Sequence, residues 1–122
     1  MYLRDANDNI VTLAMIETKT AMDNLDAIAA TPGIDVLFVG PSDLSIALSN
    51  AAELDPHSAA VEAALDRVIA AANKAGKIVG LYCANAQRAV ASAKCGVRFL
   101  AVGSDLSFLR AGTAAELKVL KG

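Results

Sequence analysis

Two carboxylates stand at matching places in this chain. Glu17 ends the apolar run in TLAMIETKT, and Asp43 follows the apolar run in VLFVGPSDLS, 26 positions later. Carboxylates delivered by neighbouring strand ends can grip a hard divalent cation. Mg²⁺ and Mn²⁺ take oxygen ligands, commonly use one or two protein carboxylates, and leave other positions to water or substrate. Each residue also has a plain structural reading. Glu17 can be a solvated first-turn residue favoured by the helix dipole, and Asp43 the N-cap of a short helix. The two residues by themselves leave both readings open.

The loop around Asp43 adds a second kind of chemistry. In Gly40-Pro41-Ser42-Asp43, glycine permits close backbone approach and proline fixes the turn. The amides of Ser42, Asp43 and Leu44 would then open a helix, placed to hold a carboxylate or phosphate. VGSDLS at 102–107 is a similar turn, and there Ser104 and Asp105 before a helix are explained by capping alone. The one histidine, His57, falls in a polar loop beside Pro56, a place for helix entry rather than catalysis. No GxSxG, P-loop or GxGxxG is present. Cys83 and Cys95 lie in apolar stretches without CxxC spacing, which reads as two reduced core thiols of a cytoplasmic chain. Cys83 follows a strand and could face the site, but nothing near it in sequence would activate it.

Composition narrows the partners. The net charge is −2, charges are interspersed, Trp is absent and aromatics make up 4% of the 122 residues, so a nucleic-acid surface is not expected. No apolar run reaches the length of a membrane span, and MYLRDANDN has no signal-peptide core. The hydrophobic share of 55% implies strands buried on both faces, or a surface hidden against a partner.

The elements that must position these residues alternate between short apolar runs and helical periodicity. Strands are expected at 10–16, 36–39, 78–83 and 99–102. Helices are expected at 18–30, with Thr20 and Asp23 as a capping box, and at 58–75, where Ser58 caps and Gly76 stops. Asn85 caps a further helix over 86–94, and a last one runs from Asp105 towards Leu120. One or two helical turns fit 42–48. The order is βα four times, with continuously apolar strands: an α/β parallel sheet covered by helices. A small open sheet and half of an eight-stranded barrel both fit, and in both the C-terminal ends of the strands carry the chemistry. Glu17 and Asp43 stand at that edge.

MIET, DNLDAIAATPGIDVLFVGPSDLS, GKIVGLYCAN and FLAVGSDLSFL, in that order, resemble the HpcH/HpaI aldolase family, metal-dependent class II pyruvate aldolases. The resemblance runs over nearly the whole chain and covers the second half of such a protein. It implies a parallel (βα)4 segment, the C-terminal half of a TIM-type (β/α)8 barrel. Residues 1–122 would form one partial barrel domain holding the last four βα units, with Met1 at an internal position before the fifth strand. It implies Glu17 and Asp43 as ligands of Mg²⁺ or Mn²⁺, and Ser42 and Asp43, through backbone amides, against the pyruvate carboxylate, within the loop of Gly40 and Pro41. Met15 stands where many members carry a substrate-contacting Gln, and Met cannot make that hydrogen bond.

The implied reaction is cleavage of 2-keto-3-deoxy or 4-hydroxy-2-oxo acids to pyruvate and an aldehyde. The family's general-base His and its charge-stabilising Arg belong to the first half, so this segment alone is expected to be inactive. Lys19, Lys74, Lys77 and Lys94 sit on helices or their ends, and none reads as a Schiff-base nucleophile. Two other readings are a non-catalytic remnant or oligomerising half-barrel, and a citrate-lyase-like acyl thioester lyase. The expected partners are a small 2-oxo acid and either further copies of the chain or the missing barrel half, with no nucleic acid and no membrane.

Overall fold

Val36–Val39 sits at the centre of the architecture because both its faces are apolar and it has a neighbour on each side. The structure is a computed structural model and describes residues 2–122; Met1 lies outside the described residues. The elements run α1 (Tyr2–Asn9), β1 (Leu13–Ile16), α2 (Lys19–Asp23), α3 (Leu25–Ala30), β2 (Val36–Val39), α4 (Pro41–Leu48), α5 (Ala59–Lys74), β3 (Ile78–Cys83), α6 (Ala86–Lys94), β4 (Phe99–Val102) and α7 (Asp105–Lys121). The four strands form one parallel sheet in chain order, β1-β2-β3-β4. An open doubly wound sheet would shuffle that order, and the half-barrel topology keeps it.

All the tightly packed helices cover one face. Ile16, Leu37, Val39, Val79, Leu81 and Cys83 point from the strands into a core completed by Met22, Leu25 and Ala29, Leu44 from α4, Leu65, Val68 and Ala72 from α5, and Ala89 from α6. Alternation along each strand sends the remaining side chains to the other face. There Leu13, Met15 and Phe99 are exposed, and Phe38 and Tyr82 half-buried, with no helix over them. Phe38 and Phe99 meet edge to face, ring centres 5.9 Å apart, across Gly80. A side chain at Gly80 would collide with them, its Cβ 2.5 Å from Phe38 Cδ2.

The N-terminal edge of the sheet is tied by polar contacts. Asp35 accepts from the Thr12 amide at 2.8 Å, and Lys77 Nζ donates to the carbonyl of Ile34 at 2.6 Å and of Thr31 at 3.4 Å. Those bonds occupy Lys77 as a structural residue.

Three elements differ from the sequence expectation. Strand β1 begins at Leu13 rather than at residue 10, because its single neighbour begins at Val36 and gives residues 10–12 no strand to pair with. The expected helix at 18–30 is two helices: Asn24 folds its side chain back onto the Thr20 carbonyl at 2.8 Å, where its own backbone amide also bonds, and the helix breaks there. Its cap is Thr18, whose Oγ1 accepts from the Ala21 amide at 3.0 Å, and not Thr20 with Asp23. Helix α1 was not expected.

Candidate functional site

Each strand hands the chain to a helix at the C-terminal edge, and how each helix begins separates one from the rest. Thr18 caps α2, Asn85 caps α6 by accepting from Arg88 N at 2.9 Å, and Ser104 caps α7 in a reciprocal box with Ser107. Helix α4 opens on Gly40, which has no side chain to cap with, followed by Pro41, which has no amide to satisfy. The Leu44 amide bonds the Gly40 carbonyl at 2.9 Å. The Ser42 and Asp43 amides are left at a helix start with no side-chain cap. A negatively charged oxygen fits there for reasons of both hydrogen bonding and dipole. At 102–107 the comparable amides already have their partners: that turn is a helix cap, as its sequence suggested.

Glu17 sits one residue beyond β1. The pairing of Ile16 with Val39 sets it level with Gly40, and the Gly40 amide donates to the Ile16 carbonyl at 3.4 Å. The Glu17 side chain lies over Gly40: a Cβ there would come within 2.6 Å of Oε2, 3.2 Å of the Glu17 Cβ and 3.3 Å of Met15 Cε. Gly40 is thus a cradle for the carboxylate and for the methionine tip. Glu17 is half-buried, and neither its carboxylate nor that of Asp43 takes a hydrogen bond or ion pair among the described residues. Asp43 is the third residue of α4 and exposed, so it is not the N-cap. Pro41 is buried and Ser42 half-buried, its carbonyl accepting from Ser45 Oγ at 2.6 Å. Met15 is exposed on the open face. The expected site residues thus gather at one edge, around the β1 and β2 ends.

Two carboxylates and two amides are a donor set for a hard cation and a bound carboxylate. Among the described residues no group of three His, Cys, Asp or Glu side chains comes together, so a protein-only cage for a transition metal is not formed. Mg²⁺ or Mn²⁺, which keep water or substrate ligands, fit two carboxylates.

The cysteines correct the sequence reading. Cys83 is fully buried on the helix-facing side and does not face the site. Burial pushes its thiol up, opposed by the Ser92 hydroxyl and the Arg88 charge. Cys95 is exposed at the end of α6 and is not a core thiol.

Sequence reasoning missed Arg88. It pairs with Glu62 across α5 and α6 at 2.7 Å and, with Ser42, His57 and Tyr82, lines a 30 Å³ cavity beside the α4 start. No local motif marks a residue whose place depends on three elements meeting. His57 is exposed, its amide held by Asp55 Oδ1 at 2.9 Å in a turn leading into α5.

Residues 2–111 match the family model described as HpcH/HpaI aldolase/citrate lyase. The chain belongs to this family. It is 35% identical over 120 residues to a hydroxypyruvate/pyruvate aldolase of Paraburkholderia phytofirmans, covering 98% of this chain and 45% of that protein. It is 40% identical over 112 residues to a 5-keto-4-deoxy-D-glucarate aldolase of Klebsiella pneumoniae, covering 92% of this chain and 43% of that one. The crystal structure of an HpcH/HpaI aldolase/citrate lyase family protein from Burkholderia cenocepacia superposes with a TM-score of 0.89 at 35% identity, over 99% of this chain and 46% of the other. The chain spans less than half the length of these relatives. Its four βα units are half of the family's TIM-type barrel. Among the described residues no helix is long and apolar enough to cross a membrane.

Proposed function

We propose that the chain forms the metal- and carboxylate-binding half of a divalent-metal-dependent pyruvate aldolase, which cleaves 2-keto-3-deoxy or 4-hydroxy-2-oxo acids to pyruvate and an aldehyde. The observation that carries this reading is the Glu17 carboxylate, unpartnered among the described residues, lying over Gly40 beside the α4 start, which has no side-chain cap. Its relatives' names, aldolases of hydroxypyruvate/pyruvate and of a keto-deoxy diacid, support the reaction class.

Glu17 and Asp43 would hold Mg²⁺ or Mn²⁺. When bound, the cation supplies Lewis-acid stabilisation of negative charge developing on the keto oxygen. The Ser42 and Asp43 amides receive the pyruvate carboxylate and fix its orientation. Gly40 leaves room for the Glu17 carboxylate, and Pro41 holds the first turn of α4 rigid behind it. Met15 contributes an apolar contact beside Glu17 and no hydrogen bond.

Mn²⁺ binding followed by electron paramagnetic resonance tests the assignment on this chain directly. One bound Mn²⁺ is expected, with affinity lowered at least about tenfold by Glu17→Ala and by Asp43→Ala. Since tenfold is about 1.4 kcal/mol, that is a modest demand for losing one of two charged ligands. Unchanged affinity in both variants would remove these residues from the site. A second reading, a non-catalytic remnant, is favoured by the lack of any charged side chain among the strand residues of the open face. It is separated from the first by pyruvate release once the barrel is completed.

A further inference from the structure

We propose that Arg88 is a positioning residue: through one water in the cavity it shares with Ser42, it holds the start of α4 and with it the Ser42 and Asp43 amides. The inference rests on the proposed function only for what those amides receive. The cavity lies among consecutive elements, with Pro41 and Ser42 of α4, His57 before α5, Tyr82 of β3 and Arg88 of α6 on its walls. Three helix starts converge there, and they are fixed in different ways. Ser58 caps α5 by accepting from the Val61 amide at 3.4 Å, and Asn85 caps α6 by accepting from the Arg88 amide at 2.9 Å. Glu62 and Arg88 stand in those two capped first turns, and their side chains meet at 2.7 Å. A brace therefore joins α5 to α6, and α4 starts beside it with no side-chain cap of its own.

The brace does not use up the guanidinium. Arg88 Nη2 is buried, and its N–H bonds do not aim at Glu62: among the described residues the atom makes no hydrogen bond. A buried donor of this kind is ordinarily met by an ordered water. The Ser42 hydroxyl, on another wall of the cavity, also has no hydrogen-bond partner among the described residues. The cavity volume of 30 Å³ exceeds the roughly 10–15 Å³ that one water needs and falls far short of the about 300–1,000 Å³ of an organic ligand's pocket. A water there accepts from Nη2 and donates to Ser42 Oγ, which satisfies both groups. It also accounts for the placement of the charge. A cation beside a helix N-terminus is disfavoured by the dipole, and an oxygen set between the two turns that contact into an attraction.

Amide hydrogen exchange reads this hold without any ligand. The Leu44 amide closes the first turn of α4 on the Gly40 carbonyl at 2.9 Å. Arg88→Met, which removes the donors and keeps an unbranched side chain, is expected to speed exchange at Leu44 at least about tenfold and to leave the amides of β2 unchanged. Arg88→Lys keeps a charged donor and should stay within about threefold of the parent chain. Ser42→Ala removes the water's other partner, so it should match Arg88→Met at Leu44, with no further change when the two are combined. Pyruvate titration of the Mg²⁺-loaded chain, followed by the amide shifts of Ser42 and Asp43, is expected to give an affinity at least about tenfold lower in Arg88→Met and restored in Arg88→Lys. Unchanged exchange at Leu44 in Arg88→Met, equal acceleration throughout the core, additive effects of the two substitutions, or no rescue by lysine would each overturn the proposal. A parent chain whose Ser42 and Asp43 amides ignore pyruvate would instead overturn the carboxylate reading, and a local exchange effect at Leu44 in that chain would still uphold the hold of Arg88 on α4.

Discussion

A methyl group at position 40 would stand 2.6 Å from Glu17 Oε2, closer than real Cβ atoms come to an oxygen. The backbone itself tolerates alanine there, with φ at −95°. Gly40→Ala should therefore act on the carboxylate rather than on the fold. The flexible end of Glu17 swings away, Mn²⁺ affinity falls about tenfold, and unfolding free energy changes by no more than about 1 kcal/mol. The control is Gly40→Ala added to Glu17→Ala, where the clash with Oε2 no longer exists and no further loss of affinity is expected. Additive losses would show that Gly40 acts through something other than Glu17. The positions of Glu17, Ser42 and Asp43 at strand ends were legible in the sequence, because apolar runs stop just before them. The missing cap on α4 was half legible: Gly40-Pro41 is visible, but its meaning depends on the other three helices of that edge each having a cap. Arg88 was not legible at all, since its pairing with Glu62 joins residues 26 apart on different helices.

Among the elements, α5 and α7 make opposite contributions to this chain. Helix α5 buries Val61, Ala64, Leu65, Val68, Ala71 and Ala72, whereas α7, one residue longer, buries none. Leu65→Ala is expected to lower the unfolding free energy by about 2–5 kcal/mol, the usual range for deleting a buried leucine side chain. Leu117→Ala should change it by less than about 0.5 kcal/mol, as for an exposed site. Urea unfolding of the two variants checks both, and a large effect at Leu117 would mean α7 is docked against something. The same contrast explains what the sequence revealed. Strands β2, β3 and β4 and helix α6 fall where expected because apolar runs bounded by Gly, Pro or Asn leave one solution. Helix α1 is eight residues long and mostly polar, too short for a repeating apolar period to show, and the break at Asn24 is a local competition for the Thr20 carbonyl that periodicity does not register. The early start expected for β1 failed because strand length is a property of pairs, and β2 is short.

At the scale of the whole molecule, the same open face governs stability and activity. Apolar surface left in water forfeits about 25 cal/mol per Å², so a few hundred Å² uncovered is large against a net stability of roughly 5–15 kcal/mol. That face supplies no proton carrier either. The interior-facing strand residues are apolar apart from the Tyr82 hydroxyl, and the only histidine lies in the exposed turn before α5. Bond cleavage in a hydroxy-oxo acid needs a base to take the hydroxyl proton, and such a group is worth about 10²–10⁴ in rate. The family resemblance assigns that base, and an arginine for the developing charge, to the other half of the barrel. The purified chain should therefore bind Mn²⁺ yet release pyruvate from a 4-hydroxy-2-oxo acid at least about a thousandfold more slowly than the Paraburkholderia aldolase assayed beside it. A coupled pyruvate assay with added Mn²⁺ decides it. A rate within about tenfold of the relative, lost in Asp43→Ala, would mean that a group on this half takes the proton after all. His57, in the turn beside the cavity that Ser42, Tyr82 and Arg88 share, would then be the first residue to replace.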